Sequence, residues 1–358
     1  MEKKIRWHSP DKLMNALDRN GNKPGVYISL SNRGGGKTYG FSKWIFEHMV
    51  DKGILFGMYT RWASDLGHVA LTALNSMLND NYPDYTVREN VVDGVYSEIW
   101  MCLKEKNSED IEGEPDRLIG FVFPINLADK IKQKSSMFID VDILFMDEFQ
   151  TLGKYCPDEV NKFLDIHTSI ARGKGKAVRY VPIIMLSNSL SIANPYFVVL
   201  GLTTNLQDNT KFYRGNGLVL ERFVNEDVRE AQKADPVNIA FANADIMRTN
   251  LDNDWYFDNR TCICKPEREW GKSQYMCTLK DGKTNYAIRY YANVGFYYIN
   301  YSVDSSCSTI YNLSLDGHLN LPFVQKSAVF KILKDAFYKG NLRCSDIKIK
   351  NMIVNIIA

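Results

Sequence analysis

The sequence predicts an α/β protein whose main domain contains a parallel β-sheet covered by helices on both faces. Short apolar strands alternate with helical patterns over roughly the first 205 residues, as in sheets whose strands are buried on both sides. A glycine-rich turn joins the first apolar strand to the first amphipathic helix. From about residue 251, tyrosine-rich alternating strands and a final amphipathic helix predict a smaller α+β domain.

Each element of the main domain follows from its own pattern of apolar residues. Apolar runs predict strands at 25–30, 54–60, 141–146 and 180–186, and helical spacing predicts helices at 37–50, 63–79 and 158–171. Between about 85 and 125, short alternating strands surround an acidic loop at 109–116. We interpret this loop as part of a solvated hairpin without chemistry.

The remainder of the chain divides into a polar stretch and a second domain. Residues 206–250 lose the alternation, so we predict an ATPase-type main domain at 1–205, a linker or hinge subdomain at 206–250 and a C-terminal domain at 251–358. In the last domain we predict strands at 275–279, 285–292, 296–303 and 309–314 and a helix at 327–337. The Asp281-Gly282 turn joins the first two strands as a hairpin.

Charge and cysteine content exclude several classes of protein. Lys and Arg total 44 against 42 Asp and Glu, and this net charge of +2 is too balanced for binding nucleic acid by bulk charge alone. Seven cysteines without a repeated spacing indicate reduced thiols in a cytoplasm, and Cys262 and Cys264 lack the second pair expected of a zinc site. No signal peptide is predicted, and the longest apolar runs fall far short of the ~20 residues of a membrane helix.

The strongest motif is a phosphate-binding loop at 31–38, with the sequence Ser-Asn-Arg-Gly-Gly-Gly-Lys-Thr. Ser31 replaces the first glycine of the G-x-x-x-x-G-K-[ST] pattern. Backbone N–H groups and the helix N-terminus would bind phosphate oxygens, Lys37 would reach the β- and γ-phosphates, and Thr38 would ligate Mg²⁺. We therefore predict ATP and Mg²⁺ as cofactors, with an incidental glycine turn as the alternative. The predicted nucleotide contacts are Asn32, Arg33, Gly34, Gly35, Gly36, Lys37, Thr38 and Tyr39.

Two later strands end in polar residues that suit the same site. Asp147 and Glu148 follow the strand at 141–146. Asp147 would hold Mg²⁺, and Glu148 would act as the general base on the attacking water. Ser187 and Asn188 end the next strand, and either would sense the γ-phosphate or place the water. The alternatives are solvation of a strand end for the acidic pair and a turn for Ser187 and Asn188.

Basic residues supply candidates for completing the site. The loop at 172–179 carries Arg172, Lys174, Lys176 and Arg179 without an acidic residue. Such a loop can give an arginine finger to a neighbouring subunit or contact a nucleic-acid backbone, and a solvated loop is the alternative. Arg61 ends the strand at 54–60, where it would lie near Glu148 and hold that carboxylate away from the nucleotide. A surface arginine is the alternative there.

Taken in order, these motifs resemble those of a known family. They are Arg-Gly-Gly-Gly-Lys-Thr at 33–38, Met-Tyr-Thr-Arg at 58–61, Phe-Met-Asp-Glu-Phe at 145–149 and Leu-Ser-Asn-Ser at 186–189, followed by Asn-Pro-Tyr-Phe at 194–197. The chain resembles the DNA-packaging (encapsidation) ATPases of small short-tailed bacteriophages with protein-primed genomes, which are related to large terminases. The resemblance is best over about 25–225.

The resemblance implies an ASCE-type P-loop ATPase domain and a C-terminal domain that is a vestigial RNase H-like nuclease. It implies a homomeric ring, a pentamer in the family, on the portal of an empty capsid in the host cytoplasm, where ATP hydrolysis drives double-stranded DNA inward. Arg172 is nearest to the family's trans-acting arginine. Lys134, 13 residues before Asp147, matches a second trans-acting basic residue. Arg61 matches the position that switches the catalytic glutamate.

Three departures qualify the resemblance. Ser31 stands where a glycine is expected, which predicts some conformational cost. The C-terminal strands lack a clear set of carboxylates, and Asp304 and Asp316 read as turn residues, so we predict no DNA cutting. Instead, that domain carries a basic segment that would dock on a structural RNA, on DNA or on the portal, unless it is an ordinary solvated helix. Its bases are Lys326, Lys331, Lys334, Lys339, Arg343, Lys348 and Lys350.

The sequence therefore predicts a motor ATPase that translocates DNA. The alternatives are a nucleotide-regulated P-loop scaffold with little turnover and a terminase-like ATPase with an active nuclease. Glu148 directly after Asp147 argues against the scaffold.

Overall fold

The computed structural model describes most of the chain and divides it into two compact units. The described residues are 7–104, 116–151, 154–172, 178–203, 205–206, 210–243, 245–253, 262–282, 284–313 and 320–357. The first unit comprises Met1–Ser189 and Asp208–Asp254, and the second comprises Leu190–Gln207 and Trp255–Ala358. Each unit is thus made from two separate stretches of chain.

The secondary structure agrees closely with the predicted elements of the main domain. The strands are β1 (Val26–Ser31), β2 (Leu55–Thr60), β3 (Tyr85–Val92), β4 (Tyr96–Leu103), β5 (Arg117–Pro124), β6 (Val141–Met146), β7 (Ile183–Ser187), β8 (Phe212–Arg214), β9 (Leu218–Phe223), β10 (Gln274–Asp281), β11 (Thr284–Tyr291), β12 (Phe296–Asn300), β13 (Ile310–Asn312) and β14 (Leu342–Cys344). The helices are α1 (Asp11–Met14), α2 (Lys37–Lys52), α3 (Val69–Asn81), α4 (Ala128–Gln133), α5 (Glu159–Ala171), α6 (Pro195–Val199), α7 (Glu226–Lys233), α8 (Pro236–Ala240), α9 (Asp245–Asp252), α10 (Ala328–Tyr338) and α11 (Ile347–Ile357).

The first unit is built on a mixed sheet that has nine strands within the described residues, in the order β3-β4-β5-β2-β6-β7-β1-β9-β8. The six strands from β5 to β9 in this order are parallel to their neighbours. Antiparallel strands extend the sheet at both edges. The predicted parallel sheet is confirmed. The acidic loop at 109–116 lies outside the described residues except for Asp116, which pairs with Arg88 at 2.8 Å.

Helices cover both faces of this sheet, as the continuous apolar strands require. The side chains of β2 alternate between the two sides. Phe56 and Met58 belong to a buried cluster with α2 and α3, whereas the ring of Tyr59 lies 4.4 Å from that of Phe163 on α5. Fully burying such a side chain contributes about 1.5–3 kcal/mol, so this sheet is a rigid base for the residues at its edge.

The domain boundaries differ from the predicted ones. Residues 206–250 are not a separate linker, because β8 and β9 join the main sheet and β9 pairs directly with β1. Residues 190–207 belong instead to the second unit. There Ala193 is buried in the core of that unit, and Thr203 donates a hydrogen bond to Asn355 on α11 at 3.1 Å.

The second unit is an α+β unit, as predicted. Its five described strands have the order β13-β10-β11-β12-β14, and the predicted hairpin joins β10 to β11 with Asp281 opposite Thr284. Side chains of α10 and α11, including Leu333, Phe337 and Ile353, pack into the buried cluster on this sheet. The sequence did not predict β14 or α11. The relationship to RNase H-like domains stays a prediction.

Among the residues that the structure describes, there is no helix with the length and apolar character needed to cross a membrane.

Candidate active site

The sequence motifs of the main domain converge at one edge of the parallel sheet. Strands β1, β2, β6 and β7 all end there, because parallel strands share the edge at which they terminate. The phosphate-binding loop follows β1, Asp147 and Glu148 follow β6, and Asn188 follows β7. Since β7 lies between β1 and β6, Asn188 stands between the loop and the carboxylates.

Glycine is required by the shape of the loop. Gly34 and Gly36 have φ angles of 72° and 87°, in the left-handed region that costs other residues free energy. A Cβ on Gly35 would lie 2.9 Å from the side chains of both Asn32 and Ser31. Ser31 itself is the last residue of β1 and is fully buried. It is not among the residues with positive φ, so the predicted conformational cost of serine at this position is wrong.

Lys37 is held inside the site. Its side chain is 9% exposed, and its Nζ donates a hydrogen bond to Oδ1 of Asn188 at 2.7 Å. Burial lowers the pKa of Lys37, while the nearby Asp147 and Glu148 act in the opposite direction. The structure thus brings Asn188 to the lysine. Ser187 is buried as the last residue of β7.

Thr38 and Asp147 form the second contact between the motifs. The hydroxyl of Thr38 donates to Oδ2 of Asp147 at 2.7 Å, and the other carboxylate oxygen accepts a hydrogen bond from the backbone N–H of Glu148 at 2.9 Å. Burial raises the pKa of Asp147 despite the opposing effect of Lys37. A hydroxyl and a carboxylate in contact are the oxygen ligands that Mg²⁺ prefers.

Glu148 has an unusual backbone. Its φ is 52°, which is uncommon for a residue with a Cβ and costs about 1–3 kcal/mol. The residue is exposed and lines a cavity of about 660 Å³, together with Thr38, Arg61 and Asp147. The carboxylate of Glu148 therefore lies in open space beside the Thr38–Asp147 pair.

Arg61 lies next to Glu148 as predicted, but its contacts differ from those of a carboxylate switch. Nη1 donates to the backbone carbonyl of Glu148 at 2.9 Å, and Nη2 donates to that of Phe149. Nε is 3.1 Å from the buried carboxylate of Glu159. In the described part of the chain, Arg61 thus contacts the main chain of Glu148 and not its carboxylate.

Two predicted trans-acting residues make no contribution to the lining of this cavity. Neither Lys134 nor Arg172 lines the cavity beside Glu148. Lys134 pairs with Asp93 at 2.6 Å, a hydrogen bond that raises the pKa of the lysine. Arg172 is exposed directly after α5.

The structure also separates the alternatives within the basic loop. Arg179 cannot substitute for Arg172 without breaking its own contacts, since it donates to the carbonyl of Val141 at 2.9 Å and pairs with Asp142 at 3.4 Å. Lys174 and Lys176 lie outside the described residues.

Residues beyond β9 brace the phosphate-binding loop, which sequence reasoning missed. The backbone N–H of Asn225 donates to the side chain of Asn32 at 2.9 Å, and the Asn225 side chain donates to the Gly35 carbonyl at 3.1 Å. Gln232 donates to the carbonyl of Arg33 at 3.0 Å. The sequence signal was present in Asn225 as the N-cap of α7, but a cap does not reveal the distant loop that it contacts.

Two aromatic side chains, Trp7 and Tyr39, lie beside the same loop. Trp7 is 48% exposed, and a Cβ on Gly36 would come within 2.8 Å of its ring. The rings of Trp7 and Tyr39 are 5.9 Å apart, and the Tyr39 hydroxyl accepts a hydrogen bond from Asn81 at 2.8 Å. Trp7 also lines a cavity of about 310 Å³ together with residues 8, 9 and 223–227. Trp7 had no motif to single it out.

The predicted basic segment of the second unit is only partly available for docking. Arg343 is 9% exposed, donates to the Gly340 carbonyl at 2.7 Å and lies 4.0 Å from the centre of the Phe296 ring. Lys334 lies over aromatic rings, and burial lowers its pKa. The exposed bases are Lys326, Lys331, Lys339 and Lys348. Asp304 accepts hydrogen bonds from Ser306 as a turn residue, and Asp316 lies outside the described residues.

The fold and this edge of the sheet define a P-loop protein of the ASCE type, with paired carboxylates after β6 and a polar residue after the strand between β6 and β1. The chain belongs to the podovirus DNA encapsidation protein (Gp16) family, whose model matches residues 2–358. The resemblance predicted from the motifs is confirmed.

Individual relatives are distant but match over nearly the whole chain. The DNA packaging protein of Bacillus phage phi29 is 22% identical over 359 residues, covering 98% of this chain and 97% of the relative. The chain is also similar to one in the viral genome packaging motor assembly of bacteriophage phi29, with a TM-score of 0.53, 20% identity and 97% of each chain covered. A phi28 gp11 DNA packaging motor has a TM-score of 0.57 at 17% identity over 98% of each chain. These structures share the fold.

Proposed function

We propose that the protein is an ATP-driven motor that translocates double-stranded viral DNA into a preformed capsid as a homomeric ring. The observation that carries the ATPase part of this proposal is the contact between Thr38 and Asp147 at 2.7 Å, with Glu148 exposed beside it. Membership of the DNA encapsidation protein family supports the DNA-packaging part. A binding loop alone would serve a scaffold. A metal-binding pair next to an exposed carboxylate is what hydrolysis needs.

ATP and Mg²⁺ fit the residues present. The loop at 33–38 offers backbone N–H groups, and Lys37 is poised at its end to move from Asn188 to the β- and γ-phosphates. Thr38 and Asp147 would hold the metal ion, which would neutralise the negative charge of the phosphates while the γ-phosphoryl group is transferred to water.

The chemical step then depends on Glu148. Its carboxylate would accept a proton from the attacking water as the new bond to the γ-phosphorus forms, while ADP leaves with the electrons of the broken phosphoanhydride bond. Asn188 would exchange its bond with Lys37 for one with the γ-phosphate or the water. Glu148 then returns the proton to solvent.

We assign the adenine to the cavity walled by Trp7. That cavity reaches Asn225, which is hydrogen-bonded to Gly35, so it adjoins the phosphate-binding loop. A half-exposed indole ring offers a stacking surface for a purine. The ring of Tyr39 lies 5.9 Å from that of Trp7, in a tilted arrangement.

A basic residue from a neighbouring subunit would complete the active site. Arg172 is exposed, lies outside the cavity beside Glu148 and has the long planar side chain that stabilises a phosphoryl-transfer transition state. Lys134 is the second candidate, once its bond with Asp93 is exchanged for a contact with a neighbouring subunit. A pentamer on the capsid portal in the host cytoplasm is the assembly we propose, in line with relatives described as DNA packaging proteins and packaging motors.

For the second unit we propose docking without DNA cutting. Its exposed lysines would contact a phosphate backbone, from DNA or a structural RNA, or the portal. Incubation of the full-length protein with plasmid and Mn²⁺ tests the proposed absence of DNA cutting. We expect intact plasmid, and linear or nicked product would instead establish a nuclease.

The motor and the scaffold are separated by the rate of ATP hydrolysis with and without DNA and procapsids. A motor hydrolyses ATP faster when both are present, because translocation consumes ATP. A rate that stays negligible under all conditions, with ATP binding intact, would support the scaffold.

A further inference from the structure

A buried carboxylate behind Glu148 has no role in the chemistry described above. Glu159 is the first residue of α5, and its side chain is 1% exposed. Its Oε2 accepts the backbone N–H of Cys156 at 2.7 Å and lies 3.1 Å from Nε of Arg61. A buried charge is retained at a cost unless it is paired and hydrogen-bonded. Glu159 meets both conditions through these two contacts.

The guanidinium that Glu159 holds is itself fixed in one orientation. Arg61 uses Nη1 and Nη2 on the consecutive backbone carbonyls of Glu148 and Phe149. The Cζ atom of Arg61 lies 5.1 Å from the centre of the Tyr155 ring. The planar fork of arginine suits such a multiple contact, whereas a lysine ammonium lacks the fixed geometry.

These contacts act on the backbone conformation of Glu148, whose φ is 52°. A left-handed residue persists where its surroundings determine it. Here two adjacent carbonyl groups are held by one guanidinium, which is held in turn by the start of α5.

We propose that Glu159 and Arg61 form a clamp that sets the direction of the Glu148 side chain, with Glu159 as a positioning residue for hydrolysis. This inference rests on the proposed role of Glu148 as the general base. The clamp acts through the main chain, so it fixes the carboxylate without occupying it and leaves it available to water.

The test compares four variants of the full-length protein, Glu159→Gln, Arg61→Lys, Asp142→Asn and Glu148→Gln, by steady-state hydrolysis and by binding of a fluorescent, non-hydrolysable ATP analogue. Glu159→Gln keeps the size of the side chain and removes its charge, so Arg61 loses its ionic partner. We expect kcat to fall by about 10- to 100-fold, the scale set by small misplacements of a catalytic group, while analogue affinity stays unchanged. Arg61→Lys should lose kcat similarly, because it cannot bind both carbonyls and the carboxylate.

The control breaks an ion pair at the start of β6, the strand whose other end leads into Asp147 and Glu148. Asp142→Asn disrupts the pairing with Arg179 at the start of β6, so kcat should stay at the wild-type value. Melting temperatures of all variants are measured alongside.

The outcomes distinguish this inference from the function on which it rests. If Glu159→Gln hydrolyses ATP at the wild-type kcat while Glu148→Gln is inactive, the clamp is overturned and the general base stands. Partial unfolding would lower kcat in proportion to the fraction of protein that binds the analogue, and would also lower the melting temperature. That result for Glu159→Gln would also overturn the clamp. Wild-type hydrolysis by Glu148→Gln would remove the proposed function itself.

Discussion

At the scale of single residues, the proposed metal ligand Asp147 predicts how hydrolysis depends on pH. Burial raises the pKa of this carboxyl, so it takes up a proton at a higher pH than an exposed aspartate. Only the ionised form binds Mg²⁺ well. We expect hydrolysis to fall as the pH is lowered, starting at a higher pH than ionisation of an exposed aspartate would give. We expect higher Mg²⁺ to move that fall to lower pH because metal and proton compete. Rates measured against pH at two Mg²⁺ concentrations check this; an acid limb that ignores Mg²⁺ would contradict it.

A second residue-scale prediction concerns the base. Trp7→Ala should weaken ATP binding by about 1–3 kcal/mol, the range for stacking of a base on an aromatic ring. Trp7→Phe keeps a stacking face and should retain most of the affinity. Titration with ATP and with inorganic triphosphate gives the measurement. Triphosphate lacks a base, so an equal loss for both ligands would show that Trp7 acts on the loop and not on adenine.

At the scale of elements, α7 couples the end of the main sheet to the phosphate-binding loop. Asn225 caps α7 by accepting the N–H of Val228, and its amide also reaches the carbonyl of Gly35. Asn225→Asp retains the cap acceptor but replaces the amide donor with a carboxylate facing that carbonyl. We expect weaker ATP binding in a folded protein.

The neighbouring helix supplies the matched control for this prediction. Asp235 caps α8 by accepting two backbone N–H groups at 3.0 Å. Asp235→Ala should cost about 1 kcal/mol of folding free energy, as lost caps do, and leave ATP affinity unchanged. Calorimetric titration with thermal unfolding separates the two variants, and equal ATP affinity in both would refute the coupling through α7.

At the scale of the whole molecule, hydrolysis should require neighbouring subunits. Arg172→Ala removes the proposed finger, whereas Glu148→Gln removes the general base and keeps its own finger. Mixed rings therefore contain sites with an intact base facing an intact finger, and we expect mixing to restore some activity to two inactive variants. Failure at every mixing ratio would exclude Arg172 as the trans-acting group. Mixing tests with Lys134→Ala address the second candidate in the same way.

Sequence reasoning succeeded where a local pattern carries the information. The loop at 31–38 and the pair Asp147–Glu148 each lie at the end of an apolar strand, and their contact follows from the shared edge of a parallel sheet. The span of β6 was predicted to the residue. Such features can be predicted from residues adjacent in sequence and from the rules of sheet topology, because they do not depend on packing between distant segments.

Prediction failed where long-range contacts decide the outcome. Residues 206–250 look polar, yet β9 lies beside β1 and the following segment braces the loop. Glu159 reads as an ordinary acidic residue in a first helical turn, and its burial depends on Arg61 from 98 residues away. In α11, isoleucine and lysine alternate before the apolar spacing becomes helical, which obscures the period.

The most direct test of the account is ATP turnover by the Glu148→Gln protein, because the proposed chemical step depends on that carboxylate. Lys37→Ala, which removes the phosphate contact, serves as the variant that should not bind nucleotide. We expect Glu148→Gln to bind ATP with wild-type affinity and to hydrolyse it at a rate indistinguishable from background, with or without DNA and procapsids. Hydrolysis by Glu148→Gln at the wild-type rate would contradict the account.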